Sequence, residues 1–338
     1  MRALALAVLF LSIPGLTEAS TLRVPSQFPT IQAAINSARN GDVVQVSGGI
    51  YRENLTIANK AVSLLGIDGS SATVINGGGS LRVITVINTG QKQVTISGFT
   101  LTNGAAREDM LNPIAPILGG AIYGENTDIV VTSNVITGNV GCIGAAMSFL
   151  QTRTTLHRNR IAMNIAEPGC AQDVVRIVAD RHGDSFVTDN VIADNPIPGL
   201  YLQAAGKVTV RNNIFRNNVG TYPTLMAEYG AMASVDTKLI LEDNLFVGNV
   251  GTAFGAALIG RSESNFTILI NRNAFAGNIG SLASAISFND LSSKDFMITN
   301  NKFDAVPNVP AIACSIGSLG SRNNMFVSLE PFNGCLAR

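Results

Sequence analysis

The sequence predicts an all-β fold in which short strands wind into a three-sided parallel β-helix. A composition with 33 Gly, no Trp and few aromatic residues favours strands and tight turns over helix bundles. The deciding observation is a repeat of the form apolar-x-x-Asn-x-apolar-x-x-Asn, whose copies lie 23 to 31 residues apart, a length typical of one coil. The anchoring residues are Asn134, Asn159, Asn190, Asn213, Asn244, Asn273, Asn301 and Asn324.

A fixed unit with a variable period indicates a constant core interrupted by loops of different length. The apolar residues of each unit can point inward from short strands. The asparagine would take the bend between them, because its side chain tolerates left-handed backbone geometry and bonds neighbouring backbone. At about 4.8 Å per coil, successive asparagines would form a hydrogen-bonded ladder. Leucine-rich repeats overlap in length, but their Leu-rich consensus and helical side are missing.

A second strand precedes each repeat unit, and other elements are predicted at the two ends. Residues 30–39 follow Pro29 with apolar residues at helical spacing, which predicts an amphipathic helix that caps the first coil. Residues 329–338 are expected to close the other end. The second strands are 121–123, 146–148, 175–177, 200–202, 231–233, 257–259, 285–287 and 311–313.

Charge and composition limit the partners that the chain can have. Its 338 residues are 46% hydrophobic and 14% charged, which excludes a disordered chain. The 23 Lys and Arg residues balance the 23 Asp and Glu residues, so the formal charge is zero. Nucleic acids and anionic membranes are bound through excess positive charge, so we predict neither as a partner. We expect a soluble monomer.

The first nineteen residues predict an export signal, and the remainder a secreted or periplasmic protein. Met1-Arg2 gives a basic start, residues 3–11 an apolar stretch, and residues 17–19 a small-x-small cleavage site. Pro14 ends the apolar run well short of the about 20 residues of a membrane span. The mature chain, 20–338, is predicted to be one β-helix domain. Its parts are the N-terminal cap and first coil (20–60), the coils (61–328) and the C-terminal cap (329–338).

The four cysteines are predicted to form disulfides, because export favours them and no His lies near any of them in sequence. We pair Cys142 with Cys170 and Cys314 with Cys335. Each pair spans about one coil and would connect adjacent coils. Zinc is the alternative, but the chain has no CxxC pair and only two His residues, so no metal site is predicted.

The N-terminal segments VPSQFPTIQAAI (24–35), GDVVQV (41–46), GIYRENLTI (49–57) and LLG (64–66) resemble the first coil of the right-handed parallel β-helix, pectin lyase-like superfamily. That superfamily contains pectate lyases, pectin esterases, polygalacturonases and alginate epimerases. The resemblance implies right-handed coiling and a polysaccharide or surface glycan as partner. The same scaffold also occurs in proteins without catalytic activity, so the resemblance identifies the scaffold.

The second strands offer a candidate binding face. Residues that follow an inward apolar residue should face outward, which places aromatic rings and a guanidinium on successive coils at about 4.8 Å steps. Such a face would suit an extended sugar chain, although a mixed solvent-exposed face and charged turns explain the pattern equally well. The predicted substrate-binding residues are Tyr123, Ser148, Tyr201, Arg181, Glu125 and Asp128.

One polar cluster could supply catalysis. His182 lies between Asp180 and Asp184, so the cluster could provide an acid and a base for proton abstraction beside a uronate, whose charge Arg176 or Arg181 would neutralise. It partly resembles the Asp-Pro-His-Asp motif of alginate epimerases. The alternative is a polar turn between two strands. Lyases of this superfamily also use carboxylates for calcium, so calcium stays open as a cofactor.

Two functions therefore remain open. The first is an exported protein that binds acidic polysaccharide and cleaves it by β-elimination or epimerises it. The second is a non-catalytic solenoid that binds glycans or serves as a surface or envelope module. The chain lacks the paired aspartates and the Arg-x-Lys of polygalacturonases, so the sequence leaves the enzyme question undecided.

Overall fold

The computed structural model describes residues 19–106, 117–170, 173–179, 183–204, 206–220, 228–262, 268–291, 296–304, 306–314, 318–327, 332–333 and 336–337. These residues form short strands and one helix, α1 (Ile31–Ser37). The strands up to residue 141 are β1 (Thr21–Val24), β2 (Val43–Val46), β3 (Gly49–Arg52), β4 (Leu55–Ala58), β5 (Ser63–Gly66), β6 (Thr73–Asn76), β7 (Ile84–Ile87), β8 (Gln93–Ser97), β9 (Thr100–Thr102), β10 (Ile122–Glu125), β11 (Asp128–Thr132), β12 (Val135–Thr137) and β13 (Val140–Gly141). Those up to residue 251 are β14 (Met147–Leu150), β15 (Arg153–His157), β16 (Arg160–Ala162), β17 (Ile165–Ala166), β18 (Val175–Ala179), β19 (Ser185–Thr188), β20 (Val191–Ala193), β21 (Leu200–Ala204), β22 (Lys207–Arg211), β23 (Ile214–Arg216), β24 (Val219–Gly220), β25 (Met232–Val235), β26 (Lys238–Glu242), β27 (Leu245–Val247) and β28 (Val250–Gly251). The remaining strands are β29 (Ala257–Ser262), β30 (Ile268–Asn271), β31 (Ala274–Ala276), β32 (Ile286–Leu291), β33 (Phe296–Thr299), β34 (Lys302–Asp304), β35 (Ile312–Cys314), β36 (Ser318–Arg322), β37 (Met325–Phe326), β38 (Phe332–Asn333) and β39 (Leu336–Ala337).

The strands build three long parallel sheets, which confirms the predicted right-handed parallel β-helix. Each coil contributes one strand to each sheet in turn, so equivalent residues of successive coils stack along the solenoid axis. Sheet A runs β1-β2-β5-β8-β11-β15-β19-β22-β26-β30-β33-β36-β39, sheet B runs β3-β6-β9-β12-β16-β20-β23-β27-β31-β34-β37, and sheet C runs β4-β7-β10-β14-β18-β21-β25-β29-β32-β35-β38.

Alternate residues of each strand fill the interior in repeating rows. The clearest row is aromatic: five phenylalanines of sheet B stack with ring centroids 4.7 to 5.0 Å apart. Parallel rings at this spacing gain contact energy in addition to their burial. The row consists of Phe215, Phe246, Phe275, Phe303 and Phe326.

The predicted asparagine ladder is confirmed between sheets A and B. From Asn134 to Asn324, each Nδ2 donates to the Oδ1 of the asparagine in the next coil, at 3.0 to 3.2 Å. The side chains also satisfy buried backbone groups: Asn213 Nδ2 donates to the Val187 carbonyl at 2.7 Å. A second ladder joins Asn139, Asn164, Asn195, Asn218, Asn249 and Asn278.

The expectation that the ladder asparagines themselves adopt left-handed geometry is wrong. The residue before each asparagine has the positive φ, for example Ser133 at 56° and Arg158 at 54°. This arrangement leaves the asparagine side chain directed inward, where it can bond both the next coil and buried carbonyls. The bend is thus made by one residue and stabilised by the next.

Helix α1 is shorter than the predicted 30–39 and has defined ends. Thr30 Oγ1 accepts from the Ala33 N–H at 3.1 Å, and the Glu53 carboxylate accepts from the Ile31 and Gln32 N–H groups. Lys60 Nζ donates to three carbonyls at the C-terminal end. The helix contacts β1, β2 and β4, and its capping role stays a prediction. Within the described residues, no helix is long and apolar enough to cross a membrane.

Cys142 is bonded to Cys170, which confirms the first predicted disulfide. Cys314 is also disulfide-bonded. Its predicted partner, Cys335, lies outside the described residues. The segment predicted to form the C-terminal cap contains β38 and β39, which extend sheets C and A.

Candidate functional site

Four of the predicted site residues lie side by side on the outer face of sheet C. Tyr123 is paired with Ser148, Ser148 with Arg176, and Arg176 with Tyr201. Each follows an inward apolar residue, because side chains alternate between the two faces of a strand. The sheet C column, as we call this line, consists of Tyr123, Ser148, Arg176, Tyr201, Ala233, Leu258, Ser287 and Ala313.

The sheet C column faces outward, but its Tyr123–Ser148 end is covered, and its other residues are buried or only partly exposed. Tyr123 is 6% exposed and Ser148 is fully buried. The turns that lead into the sheet C strands cross this face, and a Cβ added to Gly144 would lie 3.0 Å from the Ser148 Cβ. Farther along, Tyr229 and Phe254 from two such turns form a second apolar cluster over the sheet. The column therefore supports the turns above it, and its Tyr123–Ser148 end does not present an open face.

A buried ion pair lies beside this column. Arg176 donates from Nε and Nη2 to Oδ2 of Asp173, at 3.0 and 2.6 Å, and the Gly144 N–H donates to Oδ1 at 2.9 Å. Asp173 has no exposed side-chain surface, and Arg176 has 14%. The Arg176 guanidinium also lies 4.1 Å from the centre of the Tyr201 ring. The pair therefore fixes the Gly144 turn against sheet C.

This environment keeps Arg176 protonated. Burial lowers the pKa of its guanidinium, but the charge of Asp173 and the hydrogen bonds to it raise that pKa further, so it lies above its ordinary value. A protonated guanidinium can neutralise charge but cannot accept a proton. The predicted role of Arg176 in charge neutralisation would have to compete with the Asp173 carboxylate, which already occupies two of its donors.

The other end of the column holds two hydroxyl groups in different states. The Tyr123 hydroxyl donates to Glu125 Oε2 at 2.8 Å, and the Arg82 guanidinium lies 5.0 Å from its ring centre. Burial and the hydrogen bond to Glu125 raise the pKa of Tyr123, so its hydroxyl stays protonated at neutral pH. The Ser148 Oγ is buried and has no hydrogen-bond partner among the residues that the structure describes.

An open groove lies elsewhere, on the outer face of sheet A. Its volume is about 390 Å³. Two predicted site residues, Asp128 and Asp184, meet in it from different coils. The register of β11, β15 and β19 sets Asp128 beside Arg153 and Thr155 beside Phe186. The lining residues are Gln93, Asp128, Ile129, Val130, Arg153, Thr155, Asp184 and Phe186.

Both carboxylates of the groove are ion-paired, and Asp184 is accessible with 44% of its side chain exposed, against 14% for Asp128. Arg153 Nη2 lies 2.6 Å from Asp128 Oδ2, and Lys207 Nζ lies 2.9 Å from Asp184 Oδ2. The hydrogen bond from Lys207 lowers the pKa of Asp184, so this carboxylate is ionised at neutral pH and can accept hydrogen bonds. Phe186 is 40% exposed and adds an apolar surface. The groove thus combines an aromatic face with several hydrogen-bonding groups.

The predicted catalytic cluster is only partly described. Asp180, Arg181 and His182 lie outside the described residues, so their roles stay predictions. Arg176 and Asp184 lie on different sheets, in strand β18 and directly before strand β19. Among the residues that the structure describes, no group of three or more His, Cys, Asp or Glu is arranged to hold a metal ion.

Sequence reasoning missed Asp173, although a signal was present. Two residues before each sheet C strand from β10 to β35, the other seven coils carry Gly, Ala, Pro or Ser. A carboxylate in that column, followed three residues later by an arginine, indicates a local ion pair. Arg153 and Phe186 were also missed. Strand alternation predicts both to face outward, but it does not show which outward faces stay open.

A family comparison agrees with this architecture. The family model described as right handed beta helix region matches residues 82–273 and 177–328. The chain belongs to the right-handed β-helix family. No curated protein sequence matches it. The family sets the fold, and individual members place different sites on it.

Several solved structures are similar to this right-handed β-helix protein in fold. The catalytic unit of a GH87 α-1,3-glucanase from Streptomyces thermodiastaticus strain HF3-3 has a TM-score of 0.54 at 15% identity, over 94% of this chain and 66% of its own. PfbA, a surface adhesin of Streptococcus pneumoniae, has a TM-score of 0.52 at 12% identity, over 90% and 86%. ORF18 of Geobacillus virus E2 has a TM-score of 0.49 at 13% identity, over 94% and 60%. The chain spans less than two thirds of the glucanase unit and of the viral protein. The likenesses to the glucanase unit and to the adhesin show the fold alone.

Proposed function

We propose that this protein binds polysaccharide through the groove on sheet A. The main support is the composition of the groove, where the exposed Phe186 adjoins hydroxyl, amide and carboxylate groups. The groove has a volume of about 390 Å³. Apolar faces of sugar rings pack on aromatic rings, while their hydroxyls bond convergent polar groups. We prefer this groove to the sheet C column because turns cover the Tyr123–Ser148 end of the column and Asp173 engages Arg176.

Binding can be tested by calorimetry with wild type and matched variants. Phe186→Ala should weaken binding of oligosaccharides about tenfold, because it removes the apolar platform. Ile214→Ala is the control, since Ile214 is similarly exposed, at 37%, but lies on sheet B. Equal affinities of wild type and Phe186→Ala, or no binding to any glycan in a broad panel, would overturn the proposal.

Catalysis on acidic polysaccharide is the second candidate, and the position of Asp184 in the groove favours it. Proton abstraction needs a base whose pKa lies near neutral pH, such as His182 or a carboxylate with a raised pKa. Lys207 lowers the pKa of Asp184, so Asp184 would be a weak base. An assay for unsaturated uronate products should compare wild type with His182→Ala, with and without calcium. Equal activity of both proteins would remove His182 from the mechanism, and inactivity on polygalacturonate and alginate would favour binding without catalysis.

We further propose that the protein is exported to the periplasm or the cell exterior. The Cys142–Cys170 disulfide supports this location, because disulfides persist in oxidising compartments. Mass spectrometry of protein from the periplasmic and culture fractions should find a mature N-terminus near Ser20. A cytoplasmic protein that begins at Met1 would contradict the proposal.

A further inference from the structure

The groove is one end of a longer feature of sheet A. Phe186 is 40% exposed and Met297 is 54% exposed, and between them Ile240 and Leu269 are partly exposed. All four side chains lie in one line because the strands are in register. The central column, as we define it, consists of Val130, Thr155, Phe186, Thr209, Ile240, Leu269 and Met297.

Polar residues border the central column on both sides. Strand alternation puts the residues two positions before and two positions after each central residue on the same outer face. The result is a mostly apolar strip, interrupted by the buried Thr209, between two hydrophilic rows along the solenoid axis. The rows contain Asp128, Arg153, Lys207 and Lys238 on one side, and His157, Thr188, Arg211 and Glu242 on the other. Beyond Lys238, the first row lies outside the described residues.

Most of the charges in these rows are paired within the protein. Asp128 is paired with Arg153, Asp184 with Lys207, and Glu242 with Arg211. The described part of the rows holds three carboxylates and four cations, and three of those cations are already paired with the carboxylates. A ligand with a negative charge on every repeat would have to compete with these ion pairs and would gain little net attraction. A neutral ligand meets no such competition, and the paired groups still offer hydrogen bonds to hydroxyls.

The spacing of the column completes the argument. Successive coils lie about 4.8 Å apart, which is comparable to the rise per sugar of an extended glycan. Apolar ring faces can then follow the central column while hydroxyls reach both polar rows. We propose that the site is a track for a neutral, linear glycan that starts at the groove and runs along sheet A to Met297. This inference rests on the proposed glycan-binding function.

The test measures affinity against chain length and charge. Linear oligosaccharides of two, four and six units from glucans, xylans and mannans are titrated by calorimetry, beside oligogalacturonates of equal length. We expect affinity to rise at least about tenfold from the dimer to the hexamer of the preferred neutral glycan, because each added sugar covers another coil. Oligogalacturonates should bind at least about tenfold more weakly than that hexamer.

Variants at the far end separate the track from the groove. Met297→Ala should weaken hexamer binding several-fold and leave dimer binding unchanged, whereas Phe186→Ala should weaken both. Met325→Ala is the matched control, because Met325 is 60% exposed but lies on sheet B. Circular dichroism confirms that each variant is folded.

The possible outcomes distinguish the inference from the function on which it rests. Binding that depends on Phe186 but not on chain length or Met297 overturns the track and leaves the groove as a binding site. Tighter binding of oligogalacturonates overturns the neutral class of ligand. Absence of binding to every glycan overturns both the track and the proposed function.

Discussion

The outer faces of sheets C and A show that an outward side chain is not the same as an exposed one. The sheet C column and the central column of sheet A both follow strand alternation, and both carry aromatic residues with charged groups on or beside the column. Turns cross sheet C, so Ser148 is fully buried and Asp173 is enclosed with Arg176. No described turn encloses Phe186, which remains 40% exposed. The covered face therefore stabilises the fold, whereas the open face is available to a ligand.

The largest expected difference between these faces is in how much their ion pairs contribute to the free energy of unfolding. Asp173→Ala should lower the free energy of unfolding by about 3–5 kcal/mol, because it leaves the Arg176 charge buried without a partner. Asp184→Ala, at a pair whose side chains are 44% and 42% exposed, should cost less than about 1 kcal/mol. Urea denaturation of both variants measures the two losses. Similar losses would show that the covered and open faces do not differ in this way.

The turns over sheet C offer a second, smaller effect. Gly144 and Gly277 have nearly the same φ, 60° and 58°, but a Cβ added to Gly144 would lie 2.2 Å from the Met147 carbonyl oxygen, whereas one added to Gly277 meets nothing within 4 Å. Gly277→Ala should cost about 1–2 kcal/mol for backbone strain alone. Gly144→Ala should cost about 1–3 kcal/mol more, because of the added steric conflict.

Thermal or urea unfolding of the two glycine variants provides the measurement. If Gly144→Ala and Gly277→Ala lose equal stability, the Gly144 turn has room to move away from sheet C. The covered column would then be less firmly closed than its burial indicates.

Most of the fold could be predicted from the repeats, because every coil has the same types of residue at the same positions. Asn213 and Asn244 occupy the same place in successive copies, so one physical argument predicts the whole ladder. The left-handed residue could not be assigned in this way, since Ser133, Arg158 and Asp189 share no residue type. The asparagine side chain must point inward, and this requirement places the positive φ on the residue before it.

The candidate site was less predictable because the turns differ in length and sequence from coil to coil. Strand alternation correctly aligned Tyr123 with Ser148, yet their burial depends on the path of turns that do not repeat. Asp128 was predicted to bind substrate on the same face as Tyr123, but it lies on sheet A beside Arg153. To place Asp128 correctly, one must know which sheet each strand joins. The spacing of the repeats gives only the number of residues in a coil.

A third prediction concerns the unpaired hydroxyl of the covered column. Ser148→Ala should raise the free energy of unfolding by about 1 kcal/mol, because it removes a buried polar group that has no partner within the described part of the chain. Ser287 lies in the same column and does have an interaction partner. Ser287→Ala should therefore lower stability instead. Opposite signs in urea denaturation would support the contrast, and a loss in both variants would contradict it.

The smallest expected effect is the pH dependence of the open face. The Lys207 hydrogen bond holds the pKa of Asp184 below the ordinary value of an aspartate. A group with a lowered pKa keeps its charge as the pH falls through the ordinary carboxyl range, and the stabilisation from its ion pair is lost only as the pH falls through the lowered value. Glycan affinity should therefore be level from about pH 7 to about pH 4 and decline only below that.

Lys207→Gln sharpens this last prediction, because it removes the group that lowers the pKa of Asp184. The decline in affinity should then begin at a higher pH than in wild type. Calorimetric titrations of both proteins across the acidic range provide the measurement, with circular dichroism at each pH to exclude unfolding. A wild-type decline that begins near neutral pH would show that a different group, such as His182 beyond the described residues, controls binding at the groove.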